Sequence, residues 1–277
     1  MIPLAQRAGI EAWVDPSSGQ LELGEAMVAE DIGERDLETA RAAYWQPPAE
    51  TPSLYHMLNG ITPRGRREPE SPLRYELTSL RPGTVGPEYV KTIGHLHDLA
   101  PDGLGYPEAY EVVSGQALFV LFRVPQEAMS SADPLCAIVE ANPGDQFVIP
   151  PGWHHLAVNP GAEAMVFADV VGRQVAPDYS QLFRRRGAPA YLLPDEIRRN
   201  PRWPAMPVVR IGCPTLRETL PAEHGRLADA YFAGDRGAFA YLLKPAAVKE
   251  CWAAFDETVA AAPPEQVATD PNGALKP

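Results

Sequence analysis

Thr92-Ile93-Gly94-His95-Leu96-His97 is followed by Tyr106-Pro107-Glu108-Ala109-Tyr110-Glu111 and then by Gly115. A second segment reads Pro143-Gly144-Asp145-Gln146-Phe147-Val148-Ile149-Pro150-Pro151-Gly152-Trp153-His154-His155 and ends Val158-Asn159-Pro160-Gly161. The chain has six histidines, and His95, His97, His154 and His155 all fall in these two short segments, a clustering that points to a metal site. Side chains alternate faces along a strand, so His95 and His97 share one face, as do Glu108 and Tyr110. Neutral imidazoles with one carboxylate suit a divalent first-row transition metal, and three histidines plus a glutamate leave open positions on an octahedral ion. Parity also separates neighbours: His154 shares its face with Leu156 and Val158, His155 with Asn159.

Around these segments the chain predicts strands at Arg74 to Leu80, Glu88 to Ile93, Ala109 to Val113, Ala117 to Phe122, Ala137 to Ala141, Gln146 to Ile149, His155 to Val158 and Met165 to Val171. Pro82-Gly83, Ser114-Gly115, Pro143-Gly144 and Asn159-Pro160-Gly161 punctuate them, the pattern of an antiparallel sandwich or barrel. The fold class is all-β. Strands are also expected at Glu11 to Val14 and Tyr55 to Leu58, and a helix near Arg35 to Trp45 that Asp36 can cap. The Thr62 to Pro69 connection, with Arg64, Arg66 and Arg67, is read as a solvated loop.

Four segments follow: an N-terminal extension over 1–50 that packs on the barrel, the barrel domain over 51–204, a helical C-terminal extension over 205–262, and a disordered tail over 263–277. The C-terminal helices are placed at Leu216 to Phe232 and Pro245 to Ala261, with Trp252 and Phe255 as packing anchors. The longest unbroken apolar run, Ala117 to Phe122, is far short of the roughly 20 residues a membrane helix needs, so no membrane partner is expected. No secretion signal is read at the N-terminus, and the expected location is cytoplasmic. A net charge of -12 disfavours an electrostatic grip on nucleic acid. Cys136, Cys213 and Cys251 are widely spaced and read as small buried hydrophobes.

The motifs resemble those of the cupin-type phosphoglucose isomerases of archaea and some bacteria. Gly94-His95-x-His97 with Glu108 and Gly115 is similar to the first cupin motif, and Pro143-Gly144-Asp145 with His155 and Asn159 to the second. Thr92-x-Gly94-His95-x-His97, Glu108-x-Tyr110 and Val148-x-Pro150-Pro151-x-Trp153-x-His155-x-x-Val158-Asn159 carry the more specific likeness. It extends outward through Asp15 to Gly19, Arg81-Pro82-Gly83, Asp178-Tyr179 and Asn200-Pro201-Arg202-Trp203, covering most of residues 10 to 204.

The resemblance implies a single cupin jelly-roll barrel and one divalent transition metal per chain, iron, manganese, nickel or zinc, held by His95, His97, Glu108 and His155. It selects His155 over His154, which is then assigned to the barrel exterior or rim. His56 and His224 are read as surface residues. The implied partner is a sugar phosphate inside the barrel, with Thr78, Thr92 and Gly94 at its phosphate end, Tyr55 nearby, and Tyr106, Tyr110, Phe167 and Tyr179 lining the pocket. The implied assembly is a homodimer. Two departures bear on substrate: well-known members carry a tyrosine where this chain has Val171, and Pro101-Asp102-Gly103-Leu104-Gly105-Tyr106 forms a Gly-rich excursion of unusual length near the mouth.

The implied reaction is glucose 6-phosphate to fructose 6-phosphate interconversion, in which a metal on two neighbouring oxygens stabilises an enediolate. Glu108 is the natural base, and His155 and Tyr110 are expected beside it. Restoring tyrosine at 171 is expected to raise kcat/KM for fructose 6-phosphate. The alternatives are an isomerase of another phosphorylated or modified sugar, an iron-dependent dioxygenase using the same ligands, and a sugar-binding cupin without catalysis. Phosphate-side residues Thr78, Thr92 and Gly94 favour the isomerase, since a dioxygenase of apolar substrates has no use for them. Thr78 and Thr92 are equally good strand formers.

Overall fold

A computed structural model describes residues 1–65, 71–124, 133–213, 216, 225–234 and 237–269. Two six-stranded sheets face each other. The first runs, edge to edge, Gln146–Ile149, Glu108–Ser114, Met165–Gly172, Leu73–Leu80, Ser53–Asn59 and Asp31–Asp36. The second runs Val208–Gly212, Leu135–Ala141, Ala117–Arg123, His154–Asn159, Glu88–Lys91 and Thr84–Val85. Consecutive strands switch between the sheets, Glu108–Ser114 to Ala117–Arg123 and Gln146–Ile149 to His154–Asn159, which is jelly-roll connectivity. The fold is the all-β cupin barrel.

Parity decides which side chains fill it. On Ala117–Arg123, Phe119 and Leu121 point between the sheets, and Val120 and Phe122 point out. Phe119 lies 4.8 Å from the ring of Phe147 and 5.4 Å from Tyr110, which in turn stacks on Phe167 at 5.0 Å. The outer faces are covered too. Leu4, Ile10 and Val14 from the N-terminus and Leu227, Phe239 and Leu242 from the C-terminal part pack over Tyr75, Leu77 and Val170 of the first sheet. Leu182, Leu192 and Trp203 pack over Val120, Phe122 and Leu156 of the second. Strands buried on both faces carry continuous apolar runs, and all eight residues of Met165–Gly172 are buried.

The strands expected from the sequence are present, with ends shifted by a residue or two. Asp36 does cap a helix, its carboxylate accepting from the Thr39 N–H at 2.9 Å, but the helix is short. It spans Leu37–Ala40, followed by a 3-10 turn over Arg41–Ala43. Arg35 and Asp36, read as helical, end the edge strand Asp31–Asp36, whose polar sequence hides its pairing with Ser53–Asn59.

The C-terminal part differs more. The stretch 205–262, read as helical, opens with strand Val208–Gly212, which joins the second sheet parallel to Leu135–Ala141. Helix Leu227–Ala233 occupies part of the expected Leu216 to Phe232 helix, a further short helix spans Ala240–Leu243, and Lys249–Ala260 matches expectation. Of the tail read as disordered, the first residues are docked: the Glu265 N–H donates to the Val208 carbonyl at 2.7 Å and the Ala268 N–H to Ile197 at 2.8 Å. Arg66, Arg67, His224 and residues 270–277 lie outside the described residues. No described helix is long and apolar enough to cross a membrane.

Phe119 is fully buried at the centre of the barrel interior. Phe119→Ala is expected to lower stability by about 3–5 kcal/mol, read as a reduced urea midpoint with an unchanged m value.

Candidate active site

Gly94 starts the site. Its φ is +79°, and a Cβ there would meet the Leu156 Cβ at 2.8 Å and the His155 carbonyl oxygen at 2.9 Å, so a side chain would push the two segments apart. With glycine the segments close. The His95 N–H donates to the His155 carbonyl at 3.1 Å, and the His155 N–H donates back to His95 at 3.0 Å. Thr92 extends the contact, its N–H donating to Ala157 at 2.9 Å and its hydroxyl accepting from the Ala157 N–H at 3.0 Å.

This stitching brings the side chains together. His95 Nε2 lies 2.9 Å from His97 Nε2, Glu108 Oε2 lies 3.2 Å from His155 Nε2, and Glu108 Oε2 lies 3.5 Å from His97 Nε2. One ligand atom from each of the four residues falls within 4.8 Å of all the others. His97 Nδ1 is 2.9 Å from the Tyr106 carbonyl and His155 Nδ1 is 3.3 Å from the Trp153 carbonyl. A proton on each Nδ1 makes those bonds and leaves the Nε2 lone pairs facing inward.

Burial holds the imidazoles neutral. It pushes His97 down to about 3 and His155 to about 4, and His95 well below its ordinary value with help from the neighbouring histidines. Glu108 Oε2 and His155 Nε2 are buried without a hydrogen-bond partner. Buried acceptors that face one another with no donor are costly, and a divalent cation answers all four at once. The residues present therefore fit a metal ion.

The cluster forms one wall of a cavity of about 240 Å³. Of the residues expected around a substrate, Tyr55, Thr78, Thr92, Gly94, Tyr110, Phe167 and Tyr179 line it. Tyr106 does not: its ring is buried with Ala100, Val171 and Val175, and it reaches the site through its carbonyl alone. That cluster also joins the two sequence departures, since the Gly-rich excursion packs its apolar residues onto Val171. Val171 also lines the cavity itself, so a phenol at 171 would meet either that cluster or the cavity.

His154 lies on the outer side, as assigned, but not at a rim. It is 1% exposed, stacked on Phe122 at 4.6 Å, with Trp203 edge-on at 6.2 Å. His56, read as a surface residue, is half-buried near Ser53 Oγ.

Four charged lining residues were not picked out from the sequence: Arg35, Arg74, Glu76 and Asp169. Parity could have found three, because Arg74 and Glu76 share the face of Thr78, and Asp169 that of Phe167. Arg35 sits opposite Tyr55 on the edge strand, a pairing that no local pattern announces. Asp169 pairs across the sheet with Glu76 on one side and Tyr110 on the other. Burial pushes Glu76 up to about 8 and Glu108 to about 7, the latter moderated by hydrogen bonds to Asp169 and Tyr110. Asp169 is raised well above the usual carboxylate range by burial and then by Glu108.

Fold and site define a cupin with a candidate metal centre inside the barrel. A family model described as Glucose-6-phosphate isomerase (GPI) matches residues 48–204. The glucose-6-phosphate isomerase of Thermococcus gammatolerans is 29% identical over 142 residues, 50% of this chain and 68% of that protein, and that of Pyrococcus furiosus is 27% identical over the same shares. Bacillus subtilis oxalate decarboxylase is a remote likeness at 18% identity, covering 45% of this chain and 27% of that one with a TM-score of 0.29. The chain belongs to the glucose-6-phosphate isomerase family and is an isomerase.

The geometry separates the adjacent histidines. His155→Ala is expected to lose divalent metal in elemental analysis, whereas His154→Ala keeps it and instead melts earlier because the Phe122 stack is gone.

Proposed function

We propose that the chain interconverts an aldose phosphate and its ketose, with glucose 6-phosphate and fructose 6-phosphate as the pair, using one divalent transition metal held by His95, His97, Glu108 and His155. The cavity carries this reading, because Thr78, Thr92, Gly94 and Tyr55 line it together with the four-residue cluster. Its volume of about 240 Å³ is of the order a hexose phosphate needs when part of it stays in the mouth. Arg35 adds a cation at the wall that Tyr55 and Tyr179 share, and a guanidinium suits a phosphate better than any neutral donor.

In the forward reaction the C2–H bond of the aldose breaks and a C1–H bond forms, while the O2 proton passes to O1. The Glu108 carboxylate takes the carbon proton and returns it to the neighbouring carbon. Tyr110 and Asp169, hydrogen-bonded to Glu108, hold the carboxylate in one orientation through both transfers. The closed barrel and the aromatic wall of Tyr110 and Phe167 keep water from the proton in transit. A divalent ion bound in the cluster supplies Lewis-acid stabilisation of the negative charge that develops on O1 and O2. The reading includes a cytoplasmic homodimer, supported by Ile32, 76% exposed on the edge strand Asp31–Asp36.

A second reading, another phosphorylated or modified sugar, is favoured by the far wall. Val171 offers no hydroxyl, while Asp169, two residues earlier on the same face, has a buried Oδ2 with no hydrogen-bond partner. A sugar hydroxyl donating to that oxygen would take the place of the contact that a tyrosine makes elsewhere in the family.

Glu108→Gln is expected to lower kcat on fructose 6-phosphate by about 10² to 10⁴ with the circular dichroism spectrum unchanged; near-normal turnover would remove Glu108 from the proton transfer. Val171→Tyr, at a position that lines the cavity, is expected to raise kcat/KM for fructose 6-phosphate by up to about tenfold through one regained hydrogen bond; an unchanged or lower value would show that another residue has taken that role. Asp169→Ala is expected to raise KM more than it lowers kcat, and a variant that leaves KM unchanged would free the substrate of that contact.

A further inference from the structure

Two of the four candidate ligands are oriented by backbone carbonyls, His97 by Tyr106 and His155 by Trp153. Both carbonyls sit in loops, and the C-terminal part of the chain, beyond the residues matched by the family, holds both loops. The excursion that ends at Tyr106 is a tight reversal, with the Ala100 N–H donating to Leu104 at 2.7 Å and the Tyr106 N–H to Asp98 at 3.1 Å. Its outermost acid, Asp102, accepts through Oδ2 from the Ala246 N–H at 2.9 Å. The second loop, Pro150 to Trp153, is held at its last residue. Trp153 Nε1 donates to Asp256 Oδ1 at 3.2 Å, Phe255 meets the indole edge-on at 5.4 Å, and Arg123 lies over its ring at 4.8 Å while pairing with Asp256 at 2.6 Å. The loops also touch each other, since a Cβ on Gly105 would lie 2.8 Å from the Gly152 nitrogen.

We propose that residues 245–256 act as a clamp on the metal centre, with Asp256 and Asp102 as positioning residues that set the orientation of His155 and His97 through the Trp153 and Tyr106 carbonyls. This rests on the metal reading above. Groups outside the ligand sphere tune affinity because they fix the ring angle and the tautomer of each histidine. Asp256 removes freedom from the indole whose own carbonyl orients His155. Asp102 ties the excursion at one end while Tyr106 orients His97 at the other. The clamp closes only when the C-terminal segment is seated, so metal affinity and the docking of that segment are linked.

The test uses the full chain and Co²⁺, titrated against a chelating dye, with the visible absorption of the bound ion as a second readout of ligand geometry. Asp256→Ala and Asp102→Ala each act one contact beyond the carbonyl that bonds a ligand, and are expected to weaken Co²⁺ binding by up to about tenfold, the low end of the range for groups bonded to a ligand directly, and to shift the visible bands. Asp256→Asn keeps an acceptor for the Trp153 indole and is expected to recover much of the affinity. Leu242→Ala removes a fully buried side chain that packs on the first sheet, in the same C-terminal part but outside residues 245–256, and is expected to lower Tm with Co²⁺ binding and spectrum unchanged. Wild-type affinity and spectrum in both alanine variants would overturn the clamp. So would a loss in Leu242→Ala equal to theirs, which would reduce the effect to general stability. A wild-type chain that takes up no Co²⁺, Zn²⁺ or Mn²⁺ would overturn the metal reading and the clamp with it, and is distinguished by appearing before any substitution is made.

Discussion

The reciprocal backbone hydrogen bonds between His95 and His155 are the contact on which the site depends. They tie a segment leaving the second sheet to a strand within it, and fix the separation of two imidazoles to within a bond's tolerance. The register of the strand then places Ala157 against Thr92 and Asn159 against Val90. Asn159 closes the far end, its side-chain amide donating to the carbonyls of Leu80, Arg81 and Glu163 at 2.9 to 3.1 Å. A site built this way is rigid because backbone, not flexible side chains, sets its dimensions.

Much of this was legible in the chain. Four clustered histidines, the parity of His95 with His97 and of Glu108 with Tyr110, and the turn dipeptides between apolar runs lead to an all-β barrel with a polar cluster inside. What stayed hidden has physical causes. Val208–Gly212 is an apolar run beside helix-forming sequence, and only the open edge at Leu135–Ala141 decides that it pairs as a strand. Arg35 lies in a polar stretch whose strand character comes from its neighbour Ser53–Asn59. The docking of residues 264–268 depends on carbonyls at Val208 and Ile197 that the tail's own composition cannot announce. Tyr106 enters the expected pocket through the resemblance alone, whereas in the fold its ring is buried with Ala100, Val171 and Val175 and its carbonyl is the group that bonds His97.

The layers outside the barrel bear on the site as much as its interior does. A sheet with one wet face could shift its strands slightly at little cost, but here each face is packed. The Glu88 and Lys91 pair, buried beneath Tyr44 and Tyr191, shows the same principle in polar form, with the Trp45 N–H donating to Glu88 and the Tyr44 hydroxyl bonded to the backbone of Lys91 at 2.9 Å. It pins the segment after helix Leu37–Ala40 against the strand that leads into Thr92 and Gly94.

The parallel strand Val208–Gly212 has a consequence for how the molecule is made. It is the last strand of the barrel to leave the ribosome, and its partner Leu135–Ala141 emerges long before it. Until then the growing chain presents an apolar strand with unpaired N–H and carbonyl groups along one side, a template for pairing with another nascent copy. Pairing with Val208–Gly212 removes that template, so the strand that comes last in the sequence also protects an edge made much earlier.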